Sequence, residues 1–107
     1  MTVEVVWSDR ALLRMTEIGD FLAERSPRAA EQLLASLFDR AEVLAVHPAI
    51  GVAFSGAANP DIRVLYLDKY RIFYGYDEVR ARVTILTVRH APQAPLSLDQ
   101  VLDDNEP

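Results

Sequence analysis

Residues 62–90 read IRVLYLDKYRIFYGYDEVRARVTILTVRH, and this stretch decides the fold. Three runs rich in Val, Ile, Leu, Tyr and Phe are parted by the short polar turns Asp68-Lys69 and Asp77-Glu78, the pattern of an antiparallel three-stranded meander. Neither connection is long enough for a crossover helix. Arg63, Arg71 and Arg89 interrupt the apolar runs and His90 closes the last one, so these four are the first candidates for a working site. In the middle strand Tyr70, Ile72, Tyr74 and Tyr76 fall on one side and Arg71, Phe73 and Gly75 on the other. In the last strand Val83 and Ile85 oppose Leu86 and Val88. Neither face is polar throughout.

Toward the N-terminus, residues 2–7 alternate loosely and end in Trp7, a short first strand with Trp7 in the core. Ser8 follows as an N-cap, with Asp9 in the first helical turn where a carboxylate suits the dipole. The first helix is predicted to run to about Glu24, burying Ala11, Leu12, Met15, Ile18, Gly19 and Leu22. Gly19 there allows a neighbouring backbone to come close. Ser26-Pro27 starts a second helix, since proline suits the first helical position and serine caps the free amides. This helix is predicted to reach about Val46, with a broad stripe of Ala30, Leu33, Leu34, Leu37, Phe38, Ala41, Leu44 and Ala45. His47 suits the cation-favouring end of that helix. Pro48 and Gly51 stop it, and the residues to Pro60 read as a surface loop.

Beyond His90, residues 91–95 hold two prolines and cannot continue a central strand. Ser97 can restart one or two helical turns carrying Leu98, Val101 and Leu102 on one side and acids on the other. Such a segment is marginal alone, and its own domain, a twin subunit or a partner could each receive it. The last five residues are expected to be mobile. Residues 1–95 thus read as one domain and 96–107 as an acidic tail. The fold expected is α+β in two layers, strand, helix, helix and then three strands, with the helical hairpin on one face of a small antiparallel sheet. Apolar area remains on the other face for a tail or another chain to bury.

Composition sets the outer bounds. At 107 residues and 50% hydrophobic, the chain can bury a single core. It has no cysteine and only two histidines, which removes disulfides and thiolate chemistry and leaves no basis for a metal site; no cofactor is expected. There is no basic leader and no run of the roughly 18 to 20 apolar residues a bilayer requires, so a soluble, unprocessed, cytoplasmic protein with no membrane partner is expected. Net charge is −5, but Asp99, Asp103, Asp104 and Glu106 carry four of those charges, so the body is near −1. The meander reverses the sign, which permits an anionic partner, while the overall balance disfavours non-specific nucleic-acid binding.

Several motifs now stand in order: an aromatic before the first helix, Ser26-Pro27-x-x-Ala30, HPAIG at 47–51, R-V-L-x-x-x-x-Y-R-I-F-Y at 63–74 and V-T-I-L-T-V-R-H at 83–90. Together they resemble the RelE/ParE toxins of bacterial type II toxin-antitoxin modules over about residues 3 to 91. The histidine-ended strand and the Ser-Pro helix start look more like the ParE branch. The resemblance implies a first strand lying beside the last and a cognate antitoxin that wraps the toxin. It also implies a growth-inhibiting, plasmid-stabilising activity aimed at either of two targets. ParE-like members are associated with inhibition of DNA gyrase; RelE-like members cut messenger RNA on the ribosome. A third alternative is a non-toxic member that only binds its antitoxin, and a homodimer is one form open to the free chain.

The two activities need different chemistry. Attack by an RNA 2′-hydroxyl requires a proton acceptor, cations on the phosphorane and an acid for the leaving oxygen. By resemblance, Arg71 matches an arginine that contacts the scissile phosphate, and His90 falls where some nuclease members place a catalytic histidine. Residues 49–59 offer no Glu or Lys where those members supply a base or extra cations. The non-enzymatic branch is therefore favoured, with Arg63, Arg71, Arg89 and His90 as target-binding residues and no catalytic residue; in a nuclease Arg71 and His90 would be catalytic. Arg63 is expected beside Arg71, forming a cationic spot at the open end of the meander near His90. The structural reading of the same residues is pairing of the arginines with Asp61, Asp68 or carbonyls, strand-end roles for Arg89 and His90, and cross-strand packing for Tyr66, Tyr70, Tyr74 and Tyr76.

Overall fold

The computed structural model describes residues 2–54 and 62–90. Its first helix, α1 (Asp9–Ala23), begins where Ser8 accepts a hydrogen bond from the Ala11 N–H at 3.0 Å. The second, α2 (Pro27–Glu42), begins where Ser26 accepts from the Ala29 N–H at 3.1 Å, with Pro27 at the first position. Both caps satisfy amides that have no partner inside the helix. The end of α2 tightens into a 3-10 turn, Val43–Ala45, so the helical run to Val46 is not uniform. At Gly19 a Cβ would lie 2.9 Å from Leu34 Cδ1; the close neighbour is a leucine side chain of α2, where a backbone was expected.

The strands are β1 (Glu4–Trp7), β2 (Val52–Ala53), β3 (Ile62–Leu67), β4 (Tyr70–Asp77) and β5 (Arg82–His90), in spatial order β1-β5-β4-β3-β2. The first strand does lie beside the last. It runs parallel to β5, from which both helices and three strands separate it in the chain, and the remaining pairs are antiparallel. The sheet is thus mixed. Its fifth strand, β2, comes from the stretch read as a loop: two residues pair with Val64 and Arg63 at the edge of the meander.

The helices cover one face. Ala11, Met15, Leu37, Ala41 and Leu44 from the helical layer meet Leu65, Ile72, Tyr74, Val83, Ile85 and Val88 from the sheet. Val88 shares that face with Val83 and Ile85, contrary to simple alternation. The register slips between Phe73 and Tyr74, so that Phe73 pairs with Thr87 and Tyr74 with Ile85, leaving Leu86 as a bulge. One extra residue flips every later side chain to the other side. The Leu86 carbonyl accepts from Ser8 Oγ at 3.1 Å, so one serine both caps α1 and satisfies the bulge.

On the far face Val64 and Phe73 form a smaller cluster with Phe54 and Leu86, the Phe54 and Phe73 rings meeting edge to face at 5.6 Å. This supplies part of the cover that the helices do not. Expectations for Asp61, for the rest of the loop to Pro60, for residues 91–95 and for the tail 96–107 fall outside the described residues.

Candidate functional site

The turn Asp68-Lys69 sets the register of β3 and β4, and with it the address of each candidate arginine. Leu67 faces Tyr70, so Tyr66 faces Arg71 and Arg63 faces Tyr74. Arg71 in turn faces Arg89 across β4 and β5. Tyr66, Arg71 and Arg89 therefore form one row across three strands, on the face away from the helices. The Arg71 guanidinium lies 5.9 Å from the Phe73 ring centroid, consistent with that placement, and Tyr66 is exposed. Two like charges at directly opposed positions disfavour each other, and together they offer forked donors for a phosphate or carboxylate.

Arg63 is not beside Arg71. It sits on the opposite face near the other end of the strand pair, where it donates to the carbonyls of Ala49 at 3.2 Å and Gly51 at 3.0 Å. Tyr74 completes this attachment: its buried hydroxyl donates to the Pro48 carbonyl at 2.8 Å and accepts from the Gly51 N–H at 2.9 Å. Burial raises the pKa of this phenol, with the Gly51 hydrogen bond and Arg63 opposing the shift. Arg63 and Tyr74 thus tie the HPAIG segment to the sheet. A Cβ at Gly51 would lie 2.6 Å from the Tyr74 hydroxyl and 2.9 Å from the Val64 carbonyl, so the motif's glycine answers to close packing.

His90 faces Tyr70, their rings 5.0 Å apart, and alternation puts this pair on the helix-covered side. Burial first and Asp68 second raise the pKa of the Tyr70 phenol. Together with Ile18, Phe21, Leu22 and Val88 they line a groove of about 450 Å³ between α1 and the end of the sheet. His90 and Arg71 consequently lie on opposite faces. Arg89, although opposite Arg71 in the register, also borders the groove beside His90, so of the two arginines Arg71 is the one the sheet separates from the histidine.

The register of Arg63 was legible from the two-residue turn by counting back along both strands. The Tyr74 attachment and the groove were not, since nothing local marks which tyrosine reaches a loop or which helix face stays open. Among the described residues no cluster of three His, Asp or Glu side chains could hold a metal ion, and no helix is long and apolar enough to cross a membrane.

Comparison with known structures returns the same architecture. A chain of the RelBE2 toxin-antitoxin complex from Mycobacterium tuberculosis is 21% identical, with 84% of this chain and 99% of that chain covered and a TM-score of 0.65. The chromosomal ParDE system of P. aeruginosa gives 15% identity, 83% and 96% coverage and a TM-score of 0.68. The isolated E. coli RelE toxin gives 23% identity, 86% and 87% coverage and a TM-score of 0.57. At these identities the likeness is one of fold. No curated protein matches the chain. The family model of the ParE toxin of type II toxin-antitoxin systems matches residues 5–95, and the chain belongs to that family.

Proposed function

We propose that this protein is a ParE-like toxin that acts in the cytoplasm by protein-protein contact, binding and inhibiting DNA gyrase, and that a cognate antitoxin neutralises it. The observation that carries this reading is the separation of Arg71 and His90 by the sheet. An acid or base must come within about 2.6 to 3.2 Å of the atom it serves, and a phosphate seated on Arg71 lies across the sheet from His90. A binding surface has no such requirement. Exposed Leu12, Leu13, Phe21 and Phe38 on the helices and Val52 on the edge strand support an antitoxin arm that covers helices and sheet. Permanent complexes of this kind bury roughly 2,000 Å² or more.

The experiment is expression of His90→Gln and Arg71→Glu without antitoxin, with folding of each confirmed by antitoxin binding. His90→Gln should still arrest growth, with filamentation and DNA damage, and Arg71→Glu should lose toxicity. One observation favours a ribonuclease instead: exposed Tyr66 beside the Arg71 and Arg89 pair could stack on a base while the arginines hold its phosphate. In that case translation stops abruptly and transcripts are cut. Healthy growth at high expression of the unchanged chain would leave only antitoxin binding.

A further inference from the structure

Val79 is 97% exposed in the turn between β4 and β5, an aliphatic side chain almost wholly in water. Glu78, the residue before it, borders a cavity of about 630 Å³ that Val46, Pro48, Ile50, Arg63 and Tyr76 also line. Val46 and Ile50 are exposed as well. Their segment is fixed: the Tyr74 hydroxyl bonds the Pro48 carbonyl and the Gly51 N–H, and the Ile50 N–H donates to the His47 carbonyl at 3.2 Å. Arg63 makes both of its bonds to carbonyls through Nη1. It has no carboxylate partner among the described residues, and the N–H groups on Nε and Nη2 remain for an acceptor.

We propose that the occupant of this cavity is the β4–β5 turn of a second copy of the chain, in a two-fold symmetric dimer. Arg63 faces Tyr74 across the strand pair, and Glu78 lies four residues further along, roughly 13 Å at about 3.3 Å per residue. One patch therefore carries a cation at one end and an acid at the other, and no ion pair joins them within the chain. A two-fold axis between these ends lays each copy's Glu78 on the other's Arg63, so both pairs form together. The same rotation brings Val79 against Ile50 of the other copy, because Ile50 lies at the Arg63 end, between the two residues whose carbonyls Arg63 engages. The patch is thus complementary to itself in charge and in apolar surface. It uses neither Arg71 nor the groove beside α1, so it stands apart from the target-binding reading.

The chain has no cysteine, so single cysteines report the contact in the full-length protein without antitoxin. Ile50→Cys and Val79→Cys chains are mixed in equal amounts and oxidised mildly. The mixed disulfide should form at least about tenfold faster than either symmetric one, because the dimer holds those two thiols together. Glu78→Arg, at an exposed turn position, sets like charges against each other and should raise the dimer dissociation constant in sedimentation at low salt at least about tenfold. Circular dichroism checks the fold of each variant. Statistical proportions of the three disulfides, or a chain that stays monomeric into the millimolar range, would overturn the proposal. A dimer indifferent to Glu78→Arg would also overturn it, in favour of a contact through the exposed leucines of α1.

Discussion

The two faces of the sheet are made by the same three long strands and have opposite characters. On the covered face Ile72, Tyr74, Val83 and Ile85 meet Leu37, Ala41 and Leu44 with no solvent exposure. On the open face Arg71 and Arg89 stand opposite one another beside exposed Tyr66, around a small cluster centred on Phe73. A face buried by helices is constrained to shape and volume, since every void or unpaired group there costs stability. A face that keeps water within reach can hold neighbouring like charges at modest cost, and so is the one that can specialise in recognition.

The sharpest way to break this contrast is truncation on each side. Leu37→Ala should cost about 2 to 5 kcal/mol in a urea titration, as a cavity opens in a dry layer. Arg71→Ala should stay within about 1 kcal/mol while altering toxicity. Equal costs would mean that the open face is as structural as the covered one.

Tyr74→Phe tests whether the covered face also holds the HPAIG segment. Leaving the buried Gly51 N–H without its acceptor should cost about 1 to 3 kcal/mol. The pH dependence carries a signature, because the Tyr74 pKa is raised in the fold. Its contribution is complete below the ordinary tyrosine value of about 10 and lost as pH rises through the higher folded value. The phenylalanine variant should lose that part of the alkaline decline.

Outside both faces, the turn before β5 holds Ala81 at φ 52°, a left-handed conformation unfavourable for any residue with a Cβ. Ala81→Gly should therefore stabilise by about 1 kcal/mol in the same titration. The smallest effect is expected at Asp77, whose carboxylate accepts from the Arg80 N–H at 3.0 Å and ion-pairs with its side chain at 3.2 Å. The backbone bond first, with Arg80's charge and side-chain bond adding to it, holds its pKa below the usual value. The stabilisation is complete above about pH 4 and lost as pH falls through the lower folded value. Asp77→Asn and the unchanged protein should then converge in stability under acid.

Local chemistry was enough for some of this molecule. Ser8 and Ser26-Pro27 announce helix starts because a hydroxyl and a pyrrolidine act on amides within three residues. The meander announces itself because its turns are too short for anything else, and with the motif order this pointed to the RelE/ParE arrangement of first strand beside last. What the sequence alone determined is therefore the two helices, the first strand, the meander, their order and the family, while β2 lay in a stretch read as a loop. The tertiary structure decided which way each functional side chain faces. The bulge at Leu86 depends on pairing with β4 and on a serine 78 residues away, and it moves Val88 and His90 to the helix side while Arg89 joins Arg71 on the other. The β3–β4 register sets Arg63 opposite Tyr74 and away from Arg71, and two loop carbonyls engage it there. These outcomes rest on contacts between residues distant in the chain, and propensity and spacing carry no record of such contacts until the strands have chosen their register.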